Sequence, residues 1–484
     1  MASTKVKVPK KSDGLNVFEK LGNRFSYFVK RFTDGSFGTK LSHLIFGAGS
    51  FYHKQYVKGA LFLLLQLAIL AVMIFCPSVN GTPYGWKALV NLPLMNTTEG
   101  GFDPATMTTL LPSDCRLIVL FGFVTIALIL IYILVWNLNV ESSYKADNDR
   151  KVGKNPTTFR EDLQALLDAK FHVTMLTPTC IAAAVFTILP TVFMISLAFT
   201  TYNLYDMNAL ETKLFHWNGI ENFMAVFTGE GALGAEINNR FLPVLGWTLI
   251  WAVFATLTCY FGGIILALLI NKKGLKGQKV FRTIFILTIA IPQFISLLAV
   301  RNLLAQYGPV NQLLKNMGLI TESIGFLGLN RGDSEILAKV MVIVINMWVG
   351  IPYTMLMTSG ILMNIPSDLY EAARVDGAST TKMFFKITLP YVVFVTTPYL
   401  ISSFVGNINS FNTIYLLTGG NPEYLNFKAG GTDLLVTWLY KLTIDEGMYN
   451  TGAVIGIFTF LITAVITLVT YRRSRAYNEE DTFQ

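Results

Sequence analysis

The sequence predicts an all-α protein that crosses a bilayer about eight times, and three observations carry that prediction. Of 484 residues, 52% are apolar and only 14% charged, with a mean hydropathy of +0.50, far from the composition of a soluble globule. Apolar stretches of about 17 to 27 residues recur, each long enough to cross ~30 Å of hydrocarbon as a helix. A segment in hydrocarbon must satisfy its own backbone, so these stretches are helices.

Residues 1–58 carry eleven Lys and Arg, among them Lys5, Lys7, Lys10, Lys11, Arg24, Lys30 and Arg31, against three acids. This marks a cytoplasmic basic segment with no cleavable signal. Its last part, Leu41 to Gly59, mixes Phe46, Phe51, Tyr52 and Tyr56 with Lys54 and Lys58. It reads either as lying along the anionic inner surface or as a simple stop for the first span.

The spans fall near 59–76, 117–136, 173–199, 244–270, 283–300, 340–363, 391–408 and 452–471, the first two being separated from the rest by a linker at 137–172. With both termini inside, 28 of the 38 Lys and Arg fall in inner segments and nine in outer loops, Lys339 sitting at a span edge. That asymmetry supports the orientation and accounts for the basic excess without nucleic acid. The inner loop 271–282, with Lys272, Lys273, Lys276, Lys279 and Arg282 and no acid, is explained by orientation alone. Cys180 and Cys259 are expected inside spans as small core residues. Cys76 and Cys115, at the outer ends of consecutive spans, leave a disulfide open.

The segment from Ile365 to Pro390, IPSDLYEAARVDGASTTKMFFKITLP, separates the sixth and seventh spans at the inner face. Asp368 and Glu371 form a capping pair, Glu371, Ala372, Ala373 and Arg374 favour helix, and Gly377 supplies a positive φ where they stop. Thr380 or Thr381 caps a second helix carrying Met383, Phe384, Phe385 and Ile387, and Pro390 suits the first turn of the next span.

The order Glu371-Ala372-Ala373, Gly377, then Ile387-x-Leu389-Pro390 resembles the EAA loop of ABC-importer permeases. In that family it is the coupling helix that docks in a cytoplasmic ATPase. Asp376, Phe384 and Phe385 join it by the same resemblance. The likeness extends over roughly Val173 to Thr470, the six-helix permease core, with Asn346-x-Trp348-x-Gly350-x-Pro352-Tyr353 before the loop and Ser403-Phe404 and Asn407 after it. It is most similar to the MalF-type subunit of maltose and maltodextrin transporters, whose eight-span form also has two additional amino-terminal spans.

The resemblance implies a multi-pass subunit of the bacterial cytoplasmic membrane, with residues 59–136 as additional spans, 173–471 as the permease domain and 472–484 as a cytoplasmic tail. It implies a second, MalG-like permease, a dimer of ATPase subunits, an extracellular solute-binding protein and an oligosaccharide substrate in a lipid setting. Another oligosaccharide, or a glycerol-phosphate-like solute, is the competing cargo. No cofactor belongs to this chain; ATP and Mg are expected on the partner ATPase. Only about 44 residues separate the third and fourth spans, where Gram-negative versions carry a large insertion, so a Gram-positive-like or reduced form is expected.

No G-x-x-x-x-G-K-[ST], nucleophile triad or zinc spacing occurs, and no enzyme is read here. The spans nearly lack Asp, Glu and Arg, which argues against an ion-coupled secondary transporter. A neutral sugar needs uncharged hydrogen-bonding groups and an aromatic face. Asn346, Gly350 and Tyr353 share one helical face, Ser403 and Asn407 another, and these positions match sugar-contacting ones in the MalF-type family. The same polar groups could instead hold helices together. Gly406, Ser410 and Val349 depart from the family pattern and imply a reshaped site.

Overall fold

The computed structural model describes residues 26–75, 78–79, 82–95, 101–103, 108–110, 114–203, 215–230, 234–272, 274–330, 332–424 and 429–473. The extreme amino-terminal tail, Cys76, Lys273, residues 204–214 and the tail beyond Arg473 lie outside them. Among the described residues the chain is helical apart from two small antiparallel pairs, β1 (Ser78–Val79) with β2 (Thr82–Pro83) and β3 (Gly101–Asp103) with β4 (Thr108–Leu110). Residues up to Met194, with Phe215 and His216, form one compact unit; residues from Ile195, and again from Trp217 onward, form the other.

In the first unit, α1 (Phe37–Leu41) and α2 (Ala48–Tyr52) precede the span α3 (Tyr56–Phe75), and α4 (Trp86–Leu94) precedes the 37-residue α5 (Cys115–Lys151). The predicted span 117–136 is thus only the first part of a helix that runs well into the expected linker. The reason lies in its far end. Asn139, Ser143 and Asp147, four residues apart, present a polar stripe to the amino-terminal segment.

Asn139 accepts from Gly47 N at 2.8 Å, Ser143 meets the Thr39 hydroxyl at 2.6 Å, and Asp147 accepts from Thr39 at 2.5 Å and from His53 Nε2 at 2.7 Å. All of these side chains are buried. Residues 36–53 therefore pack on α5 through a hydrogen-bonded polar core, which neither the surface-lying nor the simple-stop reading anticipates. Removing His53 would leave Asp147 the donors Thr39 and Ser36 N, so the loss is that of one buried hydrogen bond, about 1–3 kcal/mol. Beyond α5, Thr158 and Glu161 form a reciprocal capping box on α6 (Phe159–Leu167), after which comes the span α7 (Phe171–Leu197). Cys180 in α7 is exposed, not a core residue, whereas Cys115 is buried.

The second unit is built around α9 (Gly234–Ile270), reached through α8 (Glu221–Thr228). Of its membrane-length window 44% is buried, against 11% for α3 or α7, so α9 is the helix the others pack upon. Lipid tails are as apolar as Leu, so close packing and hydrogen bonds, more than the hydrophobic effect, hold such helices together. On α9, Trp247 and Trp251 pack with Leu297, Val342, Ile345, Ile414 and Leu434, and Trp247 Nε1 donates to Thr432 O at 3.1 Å. About three helical turns further on, Gly262 and Gly263 admit α13 (Glu335–Leu362) closely: a Cβ on Gly263 would lie 2.5 Å from Thr354 Cβ.

The predicted span 283–300 is not one straight helix. It is α10 (Gln278–Ala290) and α11 (Gln293–Leu303), bent by 94° at Ile291-Pro292. Proline clashes with an α conformation in the residue before it, and Ile291 accordingly has ψ 126°. The described helices long and apolar enough to cross a membrane number seven, or eight if this bent pair is one span.

Between α12 (Pro309–Asn316) and α13 the chain is loop, with Asn311 bridging Ala305 and Ile324. After α13 come α14 (Ser367–Val375), α15 (Thr380–Ile408), α16 (Phe411–Leu417), α17 (Leu435–Tyr440) and α18 (Tyr449–Arg473).

The loop from α16 to α17 is pinned by Asp433, wholly buried, which accepts from Gly430 N at 2.7 Å, Thr437 Oγ1 at 2.9 Å and Lys441 Nζ at 2.7 Å. Burial pushes its carboxyl up, against the pull of Lys441, Gly430 and Thr437. On the other side of this loop Tyr424 donates to Glu335, which also pairs with Lys339 at 2.5 Å, while the Arg240 guanidinium lies 3.6 Å from the Tyr424 ring centre.

Candidate functional site

The loop between α13 and α15 folds as helix, turn, helix. α14 carries Glu371, Ala372 and Ala373 and ends at Val375; Asp376 N–H returns to Ala372 O, and Gly377 takes φ 73°. Apart from its own chain neighbours, no atom of the described residues lies within 4 Å of where a Gly377 Cβ would be, so the requirement there is one of backbone conformation.

Two capping expectations change. Asp368 lies in the first turn of α14, inside the helix, and the residue that caps is Pro366, without a side-chain bond. The second helix is capped by Ser379, whose Oγ accepts from Lys382 N at 3.3 Å, not by Thr380 or Thr381. Ser379 is one residue nearer the Gly377 turn, and that turn fixes the register.

The second helix does not stop before the next span. Phe384 to Thr388 form a π-turn within α15, and the helix continues through Ile387, Leu389 and Pro390 to Ile408. Such turns are frequent where function demands a local offset. Phe384 packs toward Tyr260, Ile264 and Val392, whereas Phe385 is 58% exposed and Val375 88% exposed. Of the expected apolar ridge, one phenylalanine is thus anchored and one presented. The Tyr370 hydroxyl meets Thr388 Oγ1 at 2.8 Å and ties α14 to α15. Motion imposed on α14 would pass directly to a membrane helix.

Within the membrane the five candidate sugar-contacting residues divide into two sets. Asn346 is buried and its Nδ2 points to the Cys259 sulfur at 3.5 Å. Gly350 faces the same sulfur, and Asn407 donates to Thr256 at 2.9 Å while its carbonyl accepts from Trp251 Nε1 at 3.1 Å. These three lie against α9. Ser403, half-buried on α15, lies one turn before Asn407.

Tyr353 differs. It is 55% exposed, its ring stacks on Tyr399 with centroids 6.1 Å apart, and it borders a cleft of about 320 Å³. That cleft runs from Trp348, Val349 and Tyr353 on α13 to Thr288, Gln293 and Ser296 on either side of the α10–α11 bend. The three polar groups on the bent pair were not singled out from the sequence; Pro292-Gln293 inside an apolar stretch is the signal that reveals them. The cleft joins an aromatic platform to uncharged donors and acceptors, and no charged side chain lines it.

A bundle organised on one central helix, with a helix-turn-helix at one end continuous with a span and an uncharged aromatic cleft, defines a membrane permease. Residues 259–477 match the family described as binding-protein-dependent transport system inner membrane component. The galactooligosaccharides transport system permease protein GanP of Bacillus subtilis is 31% identical over 91% of this chain and 98% of its own length. The maltodextrin permease MdxF of the same organism is 30% identical over 91% and 96%. The maltose/maltodextrin permease MalF of Salmonella typhimurium is 36% identical over 53% of this chain and 49% of its own length. The chain belongs to this family, as a multi-pass permease subunit of a carbohydrate ABC importer. It is not an enzyme; ATP hydrolysis belongs to separate ATPase subunits.

Proposed function

We propose that this chain passes a neutral oligosaccharide, a maltodextrin first among candidates, across the cytoplasmic membrane in response to ATP binding on partner subunits. Both termini and the α14–α15 loop face the cytoplasm in this reading. The observation that carries it is the continuity of α15: the Gly377 turn and the Ser379 cap lead without a break into the span bearing Ser403 and Asn407. A coupling loop of the EAA type needs such a connection, since a push at the membrane face must become a shift of helices in the membrane.

In this proposal Glu371, Ala372, Ala373, Asp376, Gly377 and Phe385 meet the ATPase, which holds the ATP and Mg. A second permease, MalG-like, completes the pathway, and a solute-binding protein delivers the sugar. Trp348 and Tyr353 supply the aromatic face, with Gln293 and Ser296 opposite, and Asn346, Gly350, Ser403 and Asn407 shape the path.

The similarity to GanP is as high as that to MdxF, so galactooligosaccharides are the competing cargo, and a glycerol-phosphate-like solute fits an uncharged cleft less well. Uptake of maltodextrins, galactooligosaccharides and glycerol phosphate by cells expressing the whole complex tests the proposal. ATP-dependent uptake of maltodextrin, insensitive to collapse of the proton gradient, is the expected result. Failure to take up any neutral oligosaccharide would overturn it.

A further inference from the structure

A second hollow, of about 810 Å³ against about 320 Å³ for the aromatic cleft, lies at the end of the bundle where α9, α13, α14 and α15 converge. Its polar wall holds Lys272, just beyond α9, Arg374 on α14, and the hydroxyls of Thr380 and Thr381. No carboxylate lines it, and among the described residues neither Lys272 nor Arg374 has an acidic partner. The neighbouring basic residue behaves otherwise: Arg282 is taken up by Asn271 Oδ1 at 2.8 Å, and Asn271 in turn by Ser359 at 2.9 Å. Two cations from separate elements thus face one hollow without an acidic partner among the described residues.

Asn271, Tyr370 and Thr388 also line it but are bonded to other side chains, and the apolar part of the wall includes Leu268, Leu362 and Phe384, supplied by the ends of three membrane helices. A ligand matching both halves carries negative charge on a compact, multi-acceptor head and a hydrocarbon tail directed into the bundle. A phosphate ester meets the first requirement, because its oxygens accept from a guanidinium, an ammonium and hydroxyls together. The position at the mouth of the membrane helices meets the second.

The hollow also lies on a face of α14 distinct from the one offered to a soluble partner. Tyr370 and Arg374, four residues apart, line the hollow, whereas Val375 is almost fully exposed and does not. Both faces can be occupied at once.

We infer that this hollow is a binding site for the phosphate head of an anionic phospholipid of the inner leaflet, which bridges the basic loop after α9 to α14. The bridge gives Lys272 a role beyond orientation, and it makes the position of α14 responsive to the surrounding lipid. The inference rests on the reading that this end of the bundle faces the cytoplasm.

The test uses the assembled importer complex in nanodiscs of phosphatidylcholine with or without phosphatidylglycerol. Lipid retained after detergent exchange is measured by native mass spectrometry, and ATP-driven transport in proteoliposomes of the same lipids. Wild type is expected to retain phosphatidylglycerol, Lys272→Gln to retain it about fivefold more weakly, and Lys272→Arg to behave as wild type, as one basic contact to an anionic lipid predicts. Lys272→Gln should also lose the response of transport to phosphatidylglycerol while assembling normally.

Equal retention by wild type and Lys272→Gln would overturn the inference. So would retention of soluble glycerol 1-phosphate by wild type, but not by Lys272→Gln, in pure phosphatidylcholine, with no retention of phosphatidylglycerol, which would assign the site to a free phosphate ester. Labelling of a cysteine at Ser379 from outside intact cells would instead remove the orientation on which the inference stands, and is read separately from lipid retention.

Discussion

Cys259 of α9 and Gly350 of α13 meet where their helices cross, and a Cβ added to Gly350 would lie 2.6 Å from the cysteine sulfur. The sulfur also receives Asn346 Nδ2 from one turn earlier on α13. Gly350 is therefore a point of close approach, with Gly262 and Gly263 on the facing helix serving the same crossing. Gly350→Ala is expected to overpack this contact and cost about 1–3 kcal/mol. Cys259→Ala removes the obstructing atom and should restore most of the loss in the double variant. Thermal unfolding of the purified protein in detergent measures both; additive losses in the double variant would place the constraint elsewhere.

Gly377 is constrained by conformation alone, with open space around its α-carbon and φ 73°. Gly377→Val should therefore fold and insert, but disfavour the turn by about 1 kcal/mol or more. The expected phenotype is ATP hydrolysis that no longer drives transport. Wild-type transport by the variant would separate the turn from coupling.

The orientation is tested by cysteine labelling. A cysteine at Ser379, exposed beside the Gly377 turn, should resist a membrane-impermeant thiol reagent in intact cells and react after the membrane is opened. Reaction from outside would reverse the proposed topology.

Asp433 and Lys441 form a pair in which the carboxylate has no solvent exposure. Lys441→Met leaves the carboxylate with only Gly430 and Thr437, and should cost about 3–5 kcal/mol at neutral pH. Asp433→Asn combined with Lys441→Met should cost less, because no unpaired charge remains. The pH dependence has a definite sign. Burial raises the carboxyl above its usual range, and loss of Lys441 removes a group that lowers it. The folded state then binds the proton more tightly than the unfolded, so stability is greatest at low pH and falls as pH rises above the unfolded value of ~3.9. A higher melting temperature for Lys441→Met at pH 5 than at pH 8 is the expected observation.

The sequence made the membrane helices legible because apolar length is a direct consequence of bilayer thickness, and it made the Gly377 turn legible because few residues other than glycine accept that φ. Helix ends were less legible. α5 continues to Lys151 and α15 begins at Thr380, since hydropathy reports only the part inside lipid while a helix continues wherever it finds partners. The spacing of Asn139, Ser143 and Asp147 was a readable polar stripe, but its partners Thr39 and His53 lie about a hundred residues earlier in a segment whose charge drew the reading. The bend at Pro292 was hidden by the unbroken apolar character on both sides of it. The division of the candidate sugar residues was not legible at all: common spacing puts residues on one face without saying whether that face meets another helix or a cleft.

That division leads to the last prediction, which separates Tyr353 from Asn407. Tyr353 makes no side-chain hydrogen bond among the described residues, is more than half exposed, and lies with Trp348 along the cleft beside the α10–α11 bend. Its stacking on Tyr399 fixes the ring without burying it. Loss of such an aromatic platform removes about 0.5–1.5 kcal/mol of ring contact and the apolar face a sugar would meet, while little of the bundle depends on it. Asn407 is bonded to Thr256, and its carbonyl to Trp251, so Asn407→Ala strips a hydrogen bond from a helix contact worth about 0.6 kcal/mol in a membrane. Tyr353→Ala should therefore abolish most oligosaccharide uptake with assembly and basal ATPase activity intact. Asn407→Ala should reduce uptake as well, in keeping with a place on the sugar path, but with a lowered melting temperature that Thr256→Ala reproduces. Uptake by cells and unfolding of the purified complex give the two readouts. Full uptake by Tyr353→Ala would remove the aromatic cleft from the pathway, and an Asn407→Ala variant with reduced uptake and an unchanged melting temperature would return that amide to direct contact with the sugar.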